Sequence, residues 1–468
     1  MRIEVPDPIT PVADLEAVHL IGVGGAGLSA IARLMSQQGV RVSGSDAQDS
    51  AVLRALRAEG IDARVGHDPA LLADVDVVVA STAVREDNPE VVEAVRRGLP
   101  LWPRSAGLAS LMASRRTVAV AGTHGKTTTT AMLTCALRAA GADPTFAIGA
   151  EVETLGTNAA TGGELFVAEA DESDGAFLVY HPPVAVVTNV DADHLDVWGT
   201  EEAYAAAFAE FVGTVGELVV LGVDDPGAAA LVTVAEARGL DVVTVALDAS
   251  LAPDVHVDDV LVRPGRTTFR ARWRDGSHAD VELAVTGAHY ALDAALALAT
   301  GVRLGLEPRA LADGLGTYRG ARRRMERVGE AAGVEVLDSY AHHPTEIRAD
   351  LAAARAVADG RRLVVVFQPH LVSRTRRHGV DMGRALSVAD EVVVADLYLA
   401  REDPDPEVTS HLVVDAVDGP PARAGGPVAT LAAALEPTVR DGDLVLTLGA
   451  GDVTTVGPAL LRLLAERT

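Results

Sequence analysis

Apolar residues in this chain fall into short unbroken runs. Each run ends in glycine or polar residues and gives way to a stretch with helical periodicity. Val18-His19-Leu20-Ile21 leads into Gly22-Val23-Gly24-Gly25-Ala26-Gly27 and then a helical stretch from Leu28 to Gln38. Val40 to Asp46 reads as the second strand, and the short apolar run within Val75 to Ala80 closes on Ser81-Thr82. Thr117 to Ala121 precedes a helix that carries Ala131, Met132, Cys135, Ala136 and Ala139 on one stripe. Leu165 to Ala168, Val184 to Val187, Leu363 to Phe367, Glu391 to Ala395 and Leu444 to Leu448 complete the set. Wholly apolar runs are strands buried on both faces, as in a parallel sheet covered by helices. Residues 255–285 instead alternate, with Asp275-Gly276 as a hairpin turn, and Tyr290 to Thr300 reads as an Ala/Leu helix. The Asp-, Pro- and Gly-rich stretch 402–427 reads as a mobile surface connection.

These signals group into three successive α/β units: a Rossmann-like unit over 1–113, a central P-loop-type sheet over 114–320, and a second Rossmann-like unit over 321–468. A glycine- and arginine-rich joint, Gly316 to Arg324, separates the last two. Composition fits: 49% of residues are hydrophobic but only 3% aromatic, so small helices pack on Val-rich strands. A net charge of −26 argues against a nucleic-acid partner. It also makes the two local arginine clusters, Arg322 to Arg324 and Arg374 to Arg377, candidate anion sites. The single cysteine, Cys135, cannot form an intrachain disulfide and lies on an apolar stripe, which suits a buried residue in a reducing compartment. With no membrane-length apolar run and no signal-peptide pattern, the expectation is a soluble cytoplasmic protein, a monomer or weak dimer, with no membrane association.

Among 468 residues there is one lysine, Lys126, in Gly122-Thr123-His124-Gly125-Lys126-Thr127-Thr128. Arginine replaces lysine cheaply on a solvated surface, but not where a compact ammonium must fit between phosphate oxygens under a tight glycine turn. Two further strands end in polar runs, Glu169-Ala170-Asp171-Glu172-Ser173-Asp174 and Thr188-Asn189-Val190-Asp191-Ala192-Asp193-His194. Ligands bind beyond the carboxyl ends of parallel strands, so the three runs should converge on one crevice. There the glycine-turn amides cradle phosphate, and Lys126 neutralises it. Thr127, Glu169 and His194 offer ligands to Mg²⁺, His194 being the softest of them. Gly22 to Gly27 by itself is compatible with a nicotinamide-dependent oxidoreductase, with Asp46 on a ribose.

The shortened turn G-T-x-G-K-T-T, the Glu-Ala-Asp-Glu-Ser-Asp run and Thr-Asn-x-x-x-Asp-His resemble the Mur ligase family, ATP-dependent amide-forming enzymes of peptidoglycan precursor synthesis. Gly22 to Ser29, Asp338-Ser339-Tyr340-Ala341-His342-His343-Pro344-Thr345-Glu346-Ile347 and Phe367-Gln368-Pro369-His370 are similar to the branch that adds L-alanine to UDP-N-acetylmuramate. The resemblance implies that the lactyl carboxylate attacks the γ-phosphate of ATP to give an acyl phosphate, which the amine of L-alanine then opens. It makes the first unit the UDP-sugar domain, with Gly24, Gly25, Gly27, Ser29, Asp46, Ser81 and Thr82 at the substrate. The middle unit holds ATP and Mg²⁺ through Gly122 to Thr128, with Asp293 and Asp338 at the nucleotide and Asn189 near the sugar. The third domain receives the amino acid through Tyr340, His342, His343 and Arg374, and Arg323 or Arg324 completes the phosphate clamp on closure.

Several positions depart from the family pattern. His289-Tyr290-Ala291-Leu292-Asp293 stands where His-Asn-x-x-Asn is usual, so an acceptor-only Asp293 replaces an amide at the adenine. Ser339 replaces an Asp, Leu371 an Arg, and Met325 a Phe. Some relatives bridge two magnesium ions with a carbamylated lysine, and this chain has no lysine to spare for that role. Three alternatives stay open at this level: a ligase that attaches an L-alanyl peptide to the same sugar, an oxidoreductase, or a nucleotide-binding regulatory protein without catalysis.

Overall fold

The computed structural model describes residues 3–81, 84–113, 115–400 and 402–467, so Thr82 lies outside the described residues. It contains three sheets. The first has five parallel strands in the order Asp62–Val65, Arg41–Asp46, Ala17–Ile21, Val77–Ala80, Leu101–Pro103. The order in which the chain adds strands reverses between Ala17–Ile21 and Val77–Ala80. Gly22 and Ser81 stand at those two strand ends, where the Ser81 N–H donates to Ile21 O at 3.2 Å. Such a switch point is where open α/β sheets open a ligand crevice.

The second sheet has ten strands, and within it the strand Arg116–Ala121 is flanked in parallel by Leu165–Glu169 and Val184–Val187. The three runs picked out in the sequence therefore leave neighbouring strands at the same end. Farther out, Val255–Arg263, Arg266–Trp273 and His278–Leu283 form the alternating segment, with Gly276 at φ +87° in the turn. Exposed and buried residues alternate along His278–Leu283, the signature of a sheet with one wet face.

The third sheet runs Glu326–Ala331, Val334–Ser339, Leu444–Leu448, Leu363–Phe367, Glu391–Ala395, Ala422–Gly426, parallel except for its first pair. Leu363, Val365 and Phe367 enter one core while Val364 and Val366 enter another, which explains the unbroken apolar run. The expectation of a mobile connection over 402–427 is overturned. That stretch holds a helical turn, His411–Val414, and the strand Ala422–Gly426, paired with Glu391–Ala395. Val413 is fully buried, and its carbonyl lies so close to Gly383 that a Cβ there would stand 2.3 Å away. A few apolar anchors outweigh the Pro/Gly composition.

By packing, the chain forms two compact units: residues 1–258, 270–281 and 292–317, and residues 259–269, 282–291 and 318–468. The first unit contains the whole first sheet and the phosphate turn. Arg33 donates to Asn158 across these two layers at 2.5 Å, and Asn158 donates to Ala26 O at 2.9 Å. No helix among the described residues is long and apolar enough to cross a membrane.

Candidate active site

The strand Arg116–Ala121 breaks at Gly122, with φ +130°, and the chain enters the helix Lys126–Ala139 through Gly125, with φ +82°. Both values lie where only glycine rests without strain. The turn between them is clamped from the neighbouring strand end. The Asn189 side chain accepts from His124 N–H at 2.9 Å and donates to His124 O at 3.0 Å. Thr188 donates to the same carbonyl at 2.5 Å, and Thr123 exchanges hydrogen bonds with the Asp191 backbone at 2.8 and 2.9 Å. Asn189 thus shapes the phosphate turn through its side-chain amide. His124 Nε2 meets Asp191 at 3.1 Å.

Lys126 donates to Gly122 O at 2.6 Å and Thr123 O at 3.0 Å, and pairs with Glu172 Oε2 at 2.7 Å. Burial alone would lower its pKa, but the charges of Glu172 and Asp171 outweigh that and hold the ammonium protonated above its ordinary range. Thr127 donates to Glu169 Oε1 at 3.0 Å, and Gly149 N–H donates to Glu169 Oε2 at 2.7 Å. A Cβ at Gly149 would sit 2.6 Å from both carboxylate oxygens, so the missing side chain makes room for Glu169. Hydroxyl and carboxylate side by side are the hard oxygen donors that Mg²⁺ takes. His194 has φ +52°, and its ring lies 3.6 Å from Asp193. The Asp293 carboxylate lies beside the turn itself: a Cβ on Gly125 would meet Asp293 Oδ1 at 2.6 Å.

At the first glycine turn, Gly24 N–H donates to Asp46 at 3.0 Å, so Asp46 braces the turn. Ser29 donates to Ala26 O at 2.9 Å, and Gly25 N-caps the helix Ala26–Gln37. Gly27 leaves space for Arg104: a Cβ there would stand 2.9 Å from its side chain. Arg104 in turn donates to Asp171 at 2.7 Å and lies 3.6 Å from Asp174. One guanidinium thereby joins the first glycine turn to the acidic run of the central sheet. Arg104, Glu172 and Tyr204 were not among the expected site residues. The acidic run offered a signal for Glu172; nothing local marked Arg104 or Tyr204. Cys135 is buried, and burial pushes its thiol up to about 11, consistent with an inert residue.

In the second unit, both oxygens of Asp338 are committed, to Thr447 at 2.5 Å and Thr454 at 2.7 Å. Arg323 stands 3.4 Å from Asp338, donates to Gly449 O at 2.5 Å and Gly451 O at 3.1 Å, and lies over the Tyr340 ring. It is a pin of this unit. Arg324 also covers Tyr340 and pairs with Glu346 at 3.7 Å. Glu346 accepts from His342 N–H and His343 N–H, and the His343 ring accepts from Thr345 N–H, closing a capping box on the helix Pro344–Ala358. Arg374 is buried and meets His370 at 3.0 Å, while His370 stacks on Tyr398 and touches His342 edge-on. His289 is held neutral: burial, then the Arg324 charge, lower it to about 4.

Ser339 donates to Asp350, whose carboxyl is enclosed even though part of the residue reaches the surface. Burial pushes Asp350 up to about 7, from an ordinary value of 3.8. Between those values the folded protein holds a proton that the unfolded chain has released, so stability falls as pH rises across that window. Asp350→Asn removes this slope. Its melting temperature should exceed wild type at pH 8 and match it near pH 4; parallel curves would refute the assignment.

Three family models cover most of the chain: "Mur ligase family, catalytic domain" over 17–116, "Mur ligase middle domain" over 120–301 and "Mur ligase, glutamate ligase domain" over 323–451. The chain belongs to the Mur ligase family. Within it, the UDP-N-acetylmuramate–L-alanine ligase of Nocardioides sp. is 58% identical, over 99% of this chain and 100% of that protein. The ligase of the same name from Kineococcus radiotolerans is 56% identical, over 97% and 98%. The crystal structure of the Thermotoga maritima UDP-N-acetylmuramate–alanine ligase superposes with a TM-score of 0.83 at 27% identity, covering 97% of this chain and 100% of that one. Three sheets in this order are thus the Mur ligase arrangement of N-terminal, middle and C-terminal domains.

Proposed function

We propose that this Mur ligase joins L-alanine to UDP-N-acetylmuramate at the expense of ATP, with domains over 1–113, 114–320 and 321–468. The observation that carries the reading is the chain's only lysine, seated on its phosphate turn next to the Thr127–Glu169 pair. Its high identity to ligases of that name supports the substrates. Asp46, engaged with the Gly24 amide, argues against the oxidoreductase alternative.

In the first step the lactyl carboxylate attacks the γ-phosphorus, ADP leaves, and an acyl phosphate forms. Two anions must approach, so electrostatic positioning dominates the barrier. The amides of Gly122 to Thr128 hold the phosphates in place, and Lys126 supplies the one mobile positive charge. Thr127 and Glu169 would hold Mg²⁺, with His194, from the next strand end, as a softer donor; bound there, the ion screens phosphate oxygens. In the second step the deprotonated amine of alanine attacks the acyl carbon and phosphate leaves with the bonding pair. We assign Tyr340, His342, His343 and Arg374 to the amino acid, the buried Arg374 facing its carboxylate. The first glycine turn, from Gly24 to Ser29, and Ser81 take the uridine diphosphate by the amide–phosphate contacts of a helix N-terminus.

The test is phosphate release from ATP with UDP-N-acetylmuramate, supplying L-alanine, an L-alanyl peptide, or neither. Release with L-alanine alone supports the reading. Preference for the peptide would identify a recycling ligase, and no release would indicate a non-catalytic nucleotide binder. Asp293 adds a second check. A carboxylate against the phosphate turn repels the incoming anion, so Asp293→Asn should lower the KM for ATP several-fold; an unchanged KM would place the triphosphate elsewhere.

A further inference from the structure

Glu172 is the least exposed carboxylate of the acidic run, at 0% relative exposure. Its Oε1 accepts from Tyr204 OH at 3.2 Å, and Tyr204, itself 1% exposed, shares its hydroxyl with Thr123 at 2.8 Å. Oε2 pairs with the Lys126 nitrogen at 2.7 Å, and the ammonium is what compensates this oxygen. The neighbouring carboxylate adds its charge from farther away, because Asp171 is tied to Arg104 and to Ser173 N–H. The other two partners of Lys126 are carbonyls of its own turn. Among the described residues, Glu172 is thus the anion paired with the one lysine.

We propose that Glu172 is a positioning residue that stands in for nucleotide phosphate: it keeps the Lys126 ammonium seated on the turn and competes with the phosphates for that charge. The inference rests on the reading of Lys126 as the ATP-site lysine. A buried carboxylate that loses the cation in contact with it is strongly disfavoured, so each bound nucleotide works against the return of Lys126 to Glu172. The competition weakens ADP binding and speeds product release. Burial, opposed by the Lys126 charge, leaves the Glu172 carboxyl raised above its ordinary range.

Glu172→Gln keeps the shape and removes the competing charge. ADP and ATP, each with magnesium, should bind roughly tenfold tighter, the scale of one charge contact in a water-like dielectric. The kcat should fall as ADP release slows, so KM and kcat drop together. Tyr204→Phe takes away the other donor to Glu172 and makes it hold Lys126 harder, so nucleotide should bind more weakly. Opposite signs distinguish competition from a merely structural role, which would weaken binding in both variants. Glu172→Asp, retaining charge, should return affinity towards wild type. Equal or weaker ADP binding in a folded Glu172→Gln protein would overturn the proposal. The pair Lys126→Met and Lys126→Met/Glu172→Gln separates the two layers. If Lys126→Met leaves ADP affinity unchanged, the phosphate-site reading has failed. If it weakens ADP binding but the glutamine still tightens it in that background, only the competition has failed.

Discussion

Lys126→Arg should cost at least about a thousandfold in ATP-dependent turnover while leaving the fold in place, because an interaction with charge developing on the transferred phosphoryl group contributes on that scale. The substitution keeps the charge, and a guanidinium can still pair with Glu172. It cannot reproduce the seat. The Lys126 nitrogen sits 2.6 Å from Gly122 O and 3.0 Å from Thr123 O, inside the curve of its own turn. A planar guanidinium is wider and projects farther, so it would either leave those carbonyls or push into the space of the γ-phosphate. The prediction is therefore specific to chemistry. Phosphate release under saturating substrates should vanish, and the melting temperature should shift by only a few degrees. A variant that turns over at wild-type rates would remove Lys126 from the mechanism.

What the sequence made legible, and what it did not, follows from how far each signal reaches along the chain. The strands Val184–Val187, Leu363–Phe367, Glu391–Ala395 and Leu444–Leu448 have the same bounds in the structure as in the apolar pattern, because burial on both faces leaves an unbroken run. Lys126 was legible because composition isolated it. Asn189 was visible as a polar residue at a strand end, but not its partner. Whether an amide meets a sugar or the His124 backbone depends on strand register, here Val187 opposite Ala121. Arg323 shows the same limit. An arginine at a joint reads as a mobile clamp, yet carbonyls at 449 and 451 and Asp338 capture it. Tyr204 carried no signal, because its role comes from packing between residues 123 and 172. The 402–427 stretch misled because composition counts residues, while order depends on a few such as Val413.

Gly122→Ala should be the most damaging change of a single methyl group in the first unit. Two independent penalties meet there. The backbone at Gly122 has φ +130°, a region essentially closed to residues with a Cβ. The added carbon would also stand 2.0 Å from Thr188 Oγ1 and 3.0 Å from the Thr188 amide nitrogen, so the neighbouring strand end must move. Thr188 is 2% exposed, and its hydroxyl is donated to His124 O at 2.5 Å, so it has no free direction in which to yield. Backbone strain and overpacking together cost about 3 kcal/mol or more. The loss should appear both as a lower melting temperature and as a turnover defect, since the displaced carbonyl of Gly122 is one of the two that seat Lys126. Gly141→Ala is the internal control: its φ of +85° carries the strain, but nothing lies within 4 Å of the added carbon. It should lose stability modestly and keep its kcat. If Gly122→Ala and Gly141→Ala behaved alike, the close approach of Thr188 would not govern the turn, and the clamp built by Thr188 and Asn189 would lose its assigned role.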